Sequence, residues 1–168
     1  GCYESLHAAI NAGANSVYFG IGRLNMRSAS AANFSEADME QIVEIAHKAG
    51  VKTYLTVNTI IYEDDIAMMQ KIIDAAKESG ISAVIASDVA VMQYCNRVGV
   101  EVHLSTQLNI SNSEAMKFYA QFADVVVLAR ELSCREIAEI GEKSGAELEA
   151  FVHGAMCVSY SGRCLLSN

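Results

Sequence analysis

A chain of 168 residues is long enough for one domain with a substantial core. Apolar residues make up 52% and charged ones 19%, which excludes a disordered chain. The formal net charge of −8 disfavours non-specific binding to a phosphate backbone, so a nucleic-acid substrate would need a local basic patch or another domain.

No apolar run approaches the ~18 residues of a bilayer span. No signal peptide is visible, so the expectation is a cytoplasmic protein without membrane contact. The five cysteines are an odd number without secretory features, which points to a reducing compartment. Proline is absent, and Gly1 is not a start residue, so the native N-terminus is expected to lie elsewhere.

In chain order, Tyr3 to Ala12 reads as a helix with no strand before it. A short β-branched run, Ser16–Gly20, follows, and then a long loop that carries Arg23 and Arg27. Ser35 reads as an N-cap, with acids in the first turn after it. The helix it opens puts Met39, Ile42, Val43 and Ala46 on one stripe and ends near Gly50. Lys52–Asn58 is the next strand. Asp64 to Gly80 is the next helix, with Ile66, Met69, Ile73 and Ala76 as its inner face. The strand runs Ala83–Ser87, Glu101–Thr106, Val125–Arg130 and Leu148–Gly154 alternate with further helices, among them Ser113 to Phe122 and Ser133 to Gly145. Cys95 and Cys134 fall within helical patterns and are expected to be buried or inert.

Six strands alternating with six helices imply right-handed crossovers and a parallel sheet. Val125-Val126-Val127-Leu128 is continuously apolar, as a strand buried on both faces must be. A closed (β/α)8 TIM barrel needs eight strands in about 250 residues. The expectation is therefore an α/β, TIM-barrel-like fold that is incomplete, with strands two to seven in a single partial domain over residues 1–168. The competing architecture is an open doubly wound sheet. Gly20-Ile21-Gly22 does not supply the phosphate loop that such a sheet carries, because it lacks the third glycine and the immediate helix.

In a βα barrel the chemistry sits where the strands end. Those ends carry Asn58 and Thr59, then Ser87 and Asp88, then Thr106, Gln107 and Asn109, then Arg130 and Glu131, and last His153. The candidates for catalysis are His153, Glu131 and Asp88. The candidates for substrate binding are Arg27, Asn58, Gln107, Asn109 and Arg130. Each has a plainer role open to it. Asp88 stands where it would cap the helix beginning at Val89. Asn58 and Thr59 suit a turn, Arg130 and Glu131 suit a surface pair, and Arg27 suits a solvated loop. His103, in mid-strand, suits a structural histidine.

Cys157 and Cys164 sit among glycines after the last strand, in Phe151-Val152-His153-Gly154-Ala155-Met156-Cys157 and Ser161-Gly162-Arg163-Cys164. Glycine lets a backbone wrap a metal or cluster, but two thiolates do not complete a site. A catalytic thiol beside His153 and a structural role remain open. This terminal segment from Glu149 to Ser167 resembles the signature of the collagenase-like peptidase family U32. So do Asn25-Met26-Arg27 through Asn33-Phe34-Ser35, His103-Leu104-Ser105-Thr106-Gln107 with Asn109, and Leu128-Ala129-Arg130-Glu131-Leu132-Ser133.

The resemblance implies an enzyme of one of two kinds. Some members of the family are called collagenases or proteases. Others hydroxylate RNA bases, at a tRNA wobble uridine or a 23S ribosomal cytidine, or support oxygen-independent hydroxylation in ubiquinone synthesis. It also implies a [4Fe–4S] cluster held by four cysteines, two of them at Cys157 and Cys164 and two past Asn168. As the chain stands, that half-site is expected not to hold its cluster. A small carboxylate donor such as prephenate, and tRNA or rRNA bound by regions outside this piece, are implied in the same way. Relative to the family the chain is expected to be cut at both ends. Open sheet edges would need covering, as in a homo-oligomer. The peptidase alternative lacks a recognisable Ser-His-Asp set, zinc motif or aspartate pair. A non-catalytic barrel fragment is the third reading.

Overall fold

The computed structural model describes residues 1–26, 34–145 and 147–154. Among the described residues six strands form one sheet: β1 (Ser16–Gly20), β2 (Lys52–Val57), β3 (Ala83–Ala86), β4 (Val102–Leu104), β5 (Val125–Val127) and β6 (Glu147–Glu149). They lie in chain order, and every neighbouring pair is parallel. That order decides between the two architectures, because a doubly wound sheet reverses its order part-way and a barrel does not. Among the described residues β1 does not pair with β6, so the sheet stays open.

The described residues hold six helices, one before β1 and five that connect consecutive strands: α1 (Tyr3–Asn11), α2 (Met39–Lys48), α3 (Ile66–Ser79), α4 (Val89–Val98), α5 (Ser113–Tyr119) and α6 (Cys134–Ser144). Local bonds set several of their ends. Ser35 donates its hydroxyl to Asp38 at 2.6 Å and its N–H to the same carboxylate at 2.8 Å, setting a 3-10 turn that runs into α2. The Ser133 hydroxyl and N–H reach Glu136 at 2.6 and 2.8 Å and open α6 in the same way. Asn112 accepts from the Ala115 N–H at 2.9 Å at the head of α5. Helix α3 ends on Gly80, whose φ of +82° is a left-handed cap that other side chains rarely adopt.

The register sorts the side chains by face. Leu55, Val84 and Val102 are partners in one row, and Val57, Ala86, Leu104 and Val126 in another; all are buried under the helices. Met39, Ile42, Val43 and Ala46 meet them from α2, as the stripe predicts. From α3 the buried set is Met69, Ile72, Ile73 and Ala76, with Ile66 only partly buried. Ile72 joins because a packed helix buries a stripe wider than one row of side chains. The opposite face carries Tyr18, Tyr54, Thr56, Ile85, His103 and Glu149.

Several elements depart from expectation. Strand β4 ends at Leu104 because residues Thr106–Leu108 turn into a 3-10 helix. Strand β6 is Glu147–Glu149: it begins before Leu148 and stops well short of Gly154, the bounds the sequence suggests. Cys95 is buried, whereas Cys134 is exposed as the first residue of α6. No helix of the described residues is long and apolar enough to cross a membrane.

Candidate functional site at the strand ends

All six strands run the same way, so the residues that follow them collect at one end of the sheet. Asn58 follows β2, Asp88 follows β3, Gln107 follows β4, Arg130 and Glu131 follow β5, and His153 follows β6. Arg27, Cys157 and Cys164 lie outside the described residues.

The centre of this end is a hydrogen-bonded group from β2 and β4. The Asn58 amide donates to Ser105 Oγ at 3.4 Å and to Gln107 Oε1 at 3.2 Å. Its Oδ1 accepts from the Met26 backbone N–H at 3.2 Å. The Ser105 hydroxyl also donates to Gln107 Oε1. Arg130 reaches into the same end from β5. It is half-buried, donates to Thr106 Oγ1 at 3.4 Å, and holds its guanidinium over the Phe151 ring at 5.1 Å.

Asp88 takes the cap role. One carboxylate oxygen accepts from the Ala90 N–H at 2.8 Å, and the other from the Ile61 N–H at 3.0 Å. The side chain therefore ties the segment after β2 to the head of α4. Asn109 is exposed in a left-handed conformation, with φ of +53°, where Asn is tolerated better than other side chains. Its backbone N–H closes the 3-10 turn on Thr106 at 3.0 Å. Glu131 and His153 are exposed. The site thus converges on Asn58, Ser105, Thr106, Gln107 and Arg130, and the three catalytic candidates stand around it.

Ser105, Met26 and Phe151 join the site although the sequence marks them only as members of the motifs shared with the family, not as site residues. Arg23, noted in the sequence with Arg27 in the loop after the first strand, is held by Asp65 at 2.5 Å at the start of α3.

His103 lies on the same face of β4 as Ser105, below the strand ends, and is only 3% exposed. Its Nε2 is 2.9 Å from Glu101, its Nδ1 is 3.9 Å from Glu149, and its ring packs on Tyr54 at 4.5 Å. Cys95 is no nucleophile, because burial pushes its thiol up to about 12. Among the described residues no group of three or more His, Cys, Asp or Glu could hold a metal ion. Those residues alone therefore make no ligand set for an iron–sulfur cluster.

The model of peptidase family U32 matches residues 1–168. The chain belongs to peptidase family U32. Among its relatives in that family, the "Collagenase" of Porphyromonas gingivalis is 57% identical over 99% of this chain and 43% of its own length. The "tRNA hydroxylation protein P1" of Bacillus subtilis is 40% identical over 100% of this chain and 40% of its own. The chain thus spans about two fifths of the length of these curated relatives. A solved U32 peptidase structure superimposes with a TM-score of 0.59 over 82% of this chain and 69% of that one, at 15% identity. This likeness shows the fold that the strand order already indicates.

Proposed function

We propose that this U32 chain carries the strand-end site of an enzyme that hydroxylates an RNA base. The observation that carries the reading is Gln107, held in place by Asn58 and Ser105, at the same strand ends as the half-buried Arg130. Amides and hydroxyls of this kind read the edges of an unstacked base, and a guanidinium held on an aromatic ring takes a carboxylate or phosphate. The whole-chain identity to a tRNA hydroxylation protein supports the same reading. Arg130 would receive the carboxylate of a small donor such as prephenate. Contacts to the RNA strand itself would fall to other parts of the protein, because this chain carries a formal charge of −8. Cys157 and Cys164 would supply thiolates to a [4Fe–4S] cluster, completed by cysteines elsewhere in the protein.

The name of the 57% identical relative favours a second reading, a collagenase-like peptidase. Against it, no described side chain at the strand ends pairs a nucleophile with a base; the serine–carboxylate pairs Ser35–Asp38 and Ser133–Glu136 serve as helix caps. His103 is engaged by Glu101, Ser105 bonds to amides, and Cys95 is buried as the thiol.

The test is complementation of a bacterial host that lacks its own tRNA hydroxylation protein, read by mass spectrometry of nucleosides from tRNA and rRNA. A nucleoside heavier by one oxygen, restored by this protein and lost in Cys157→Ala, is the expected result. Which RNA carries it identifies the substrate. Purified protein that degrades gelatin while neither RNA gains oxygen would replace this reading with the second. A [4Fe–4S] absorption band near ~400 nm, lost in both cysteine variants, tests the cluster separately.

A further inference from the structure

We infer that Asn58 is a positioning residue: it clasps the segment after β1 onto the ends of β2 and β4. The inference follows from what its amide bonds to inside the protein. A carboxamide has two N–H donors and one oxygen acceptor with two lone pairs. The Asn58 amide nitrogen donates to the neighbouring pair Ser105 Oγ and Gln107 Oε1, at 3.4 and 3.2 Å. The oxygen accepts the Met26 N–H at 3.2 Å. That backbone donor fixes which way round the amide sits, since the nitrogen could not accept it.

The clasped segment is built to be held. Asn25 is 2% exposed and donates to the carbonyls of Ile21 and Gly22, both at 3.1 Å. Its side chain fills the space that a Cβ on residue 20 would need, so only glycine at Gly20 lets it pack there. Two residues before Asn25, Arg23 is fastened to Asp65 at 2.5 Å. Residues 21–26 are thus pinned to β1, to the head of α3 and, through Asn58, to the strand ends where Gln107 and Arg130 stand. A segment ordered before substrate arrives has little entropy left to lose on binding. The clasp should therefore act on substrate affinity more than on the chemical step.

The experiment compares Asn58→Ala and Asn58→Asp by amide hydrogen exchange over residues 21–26 and by KM and kcat for RNA hydroxylation. The kinetic arm rests on the function proposed above; the exchange arm does not. Asn58→Ala removes the acceptor of the Met26 N–H, so exchange there should quicken by more than ~10-fold. Its KM should rise by about 10-fold while kcat falls less. Asn58→Asp keeps the acceptor, and Gln107 can turn its amide to donate, so it should restore the protection and most of the KM. Protection that survives Asn58→Ala overturns the clasp. A KM defect equal in both variants, with residues 21–26 fully protected in Asn58→Asp, would make Asn58 a substrate contact instead. If no RNA is hydroxylated at all, the function reading falls, and the exchange result alone decides the clasp.

Discussion

At the scale of single residues, side-chain bonds within the protein hold the strand ends together. Asp88 uses both carboxylate oxygens on backbone N–H groups of Ala90 and Ile61. Asp88→Ala should therefore destabilise the fold by about 1–2 kcal/mol, as loss of a helix cap does, read as a lower urea midpoint at unchanged m. Asp88→Asn should recover part of it, since its amide oxygen keeps one acceptor. Gly20 gives a second check. Its missing side chain is the room that Asn25 occupies, so Gly20→Ala should cost about 1–3 kcal/mol through overpacking. Thermal unfolding measures it. The sequence marks Asp88 as a cap because a helix pattern begins directly after it. It cannot mark the Gly20–Asn25 contact, which exists only once the chain turns back on the end of β1.

At the scale of elements, α2 and α6 begin on carboxylate-bonded serines, and that makes their heads sensitive to acid. Hydrogen bonds from the Ser133 side chain and then its backbone hold the Glu136 carboxyl below its ordinary value. The Ser35 side chain and backbone, and then Tyr3, do the same for Asp38. A carboxyl lowered in the folded state contributes stability that is fully present above its unfolded value and lost as pH falls through the folded one. The amides at the heads of α2 and α6 should therefore lose protection as pH drops below the ordinary carboxylate range, before the buried strands do. Exchange followed by NMR across that range checks it, and equal protection at both extremes would contradict it. The strand runs are legible from their β-branched composition, and α2 from its stripe of Met39, Ile42, Val43 and Ala46. The early end of β4 is not legible. Ser105 and Thr106 suit a strand by propensity, but their side chains bond to Asn58, Gln107 and Arg130, and the backbone turns to follow.

At the scale of the whole molecule, a parallel sheet in chain order does one thing for function: it brings the residue after every strand to a common end. That is why the site residues could be chosen from strand ends alone, and why their partners could not. The core that holds this arrangement lies between sheet and helices, with Leu55 fully buried at its centre. Leu55→Ala should cost about 2–5 kcal/mol, seen as a lower unfolding midpoint. If the proposed chemistry on RNA takes place at the strand ends, it depends on them and not on the rest of the sheet. The decisive comparison is the yield of oxygenated nucleoside in the complemented host for Arg130→Ala and Gln107→Ala, against Lys52→Ala at the opposite end of β2. The first two should lose at least ~10-fold, the cost of a missing charged or buried hydrogen bond, and Lys52→Ala should not. Wild-type yields from both strand-end variants, with the proteins folded and expressed, would contradict this dependence.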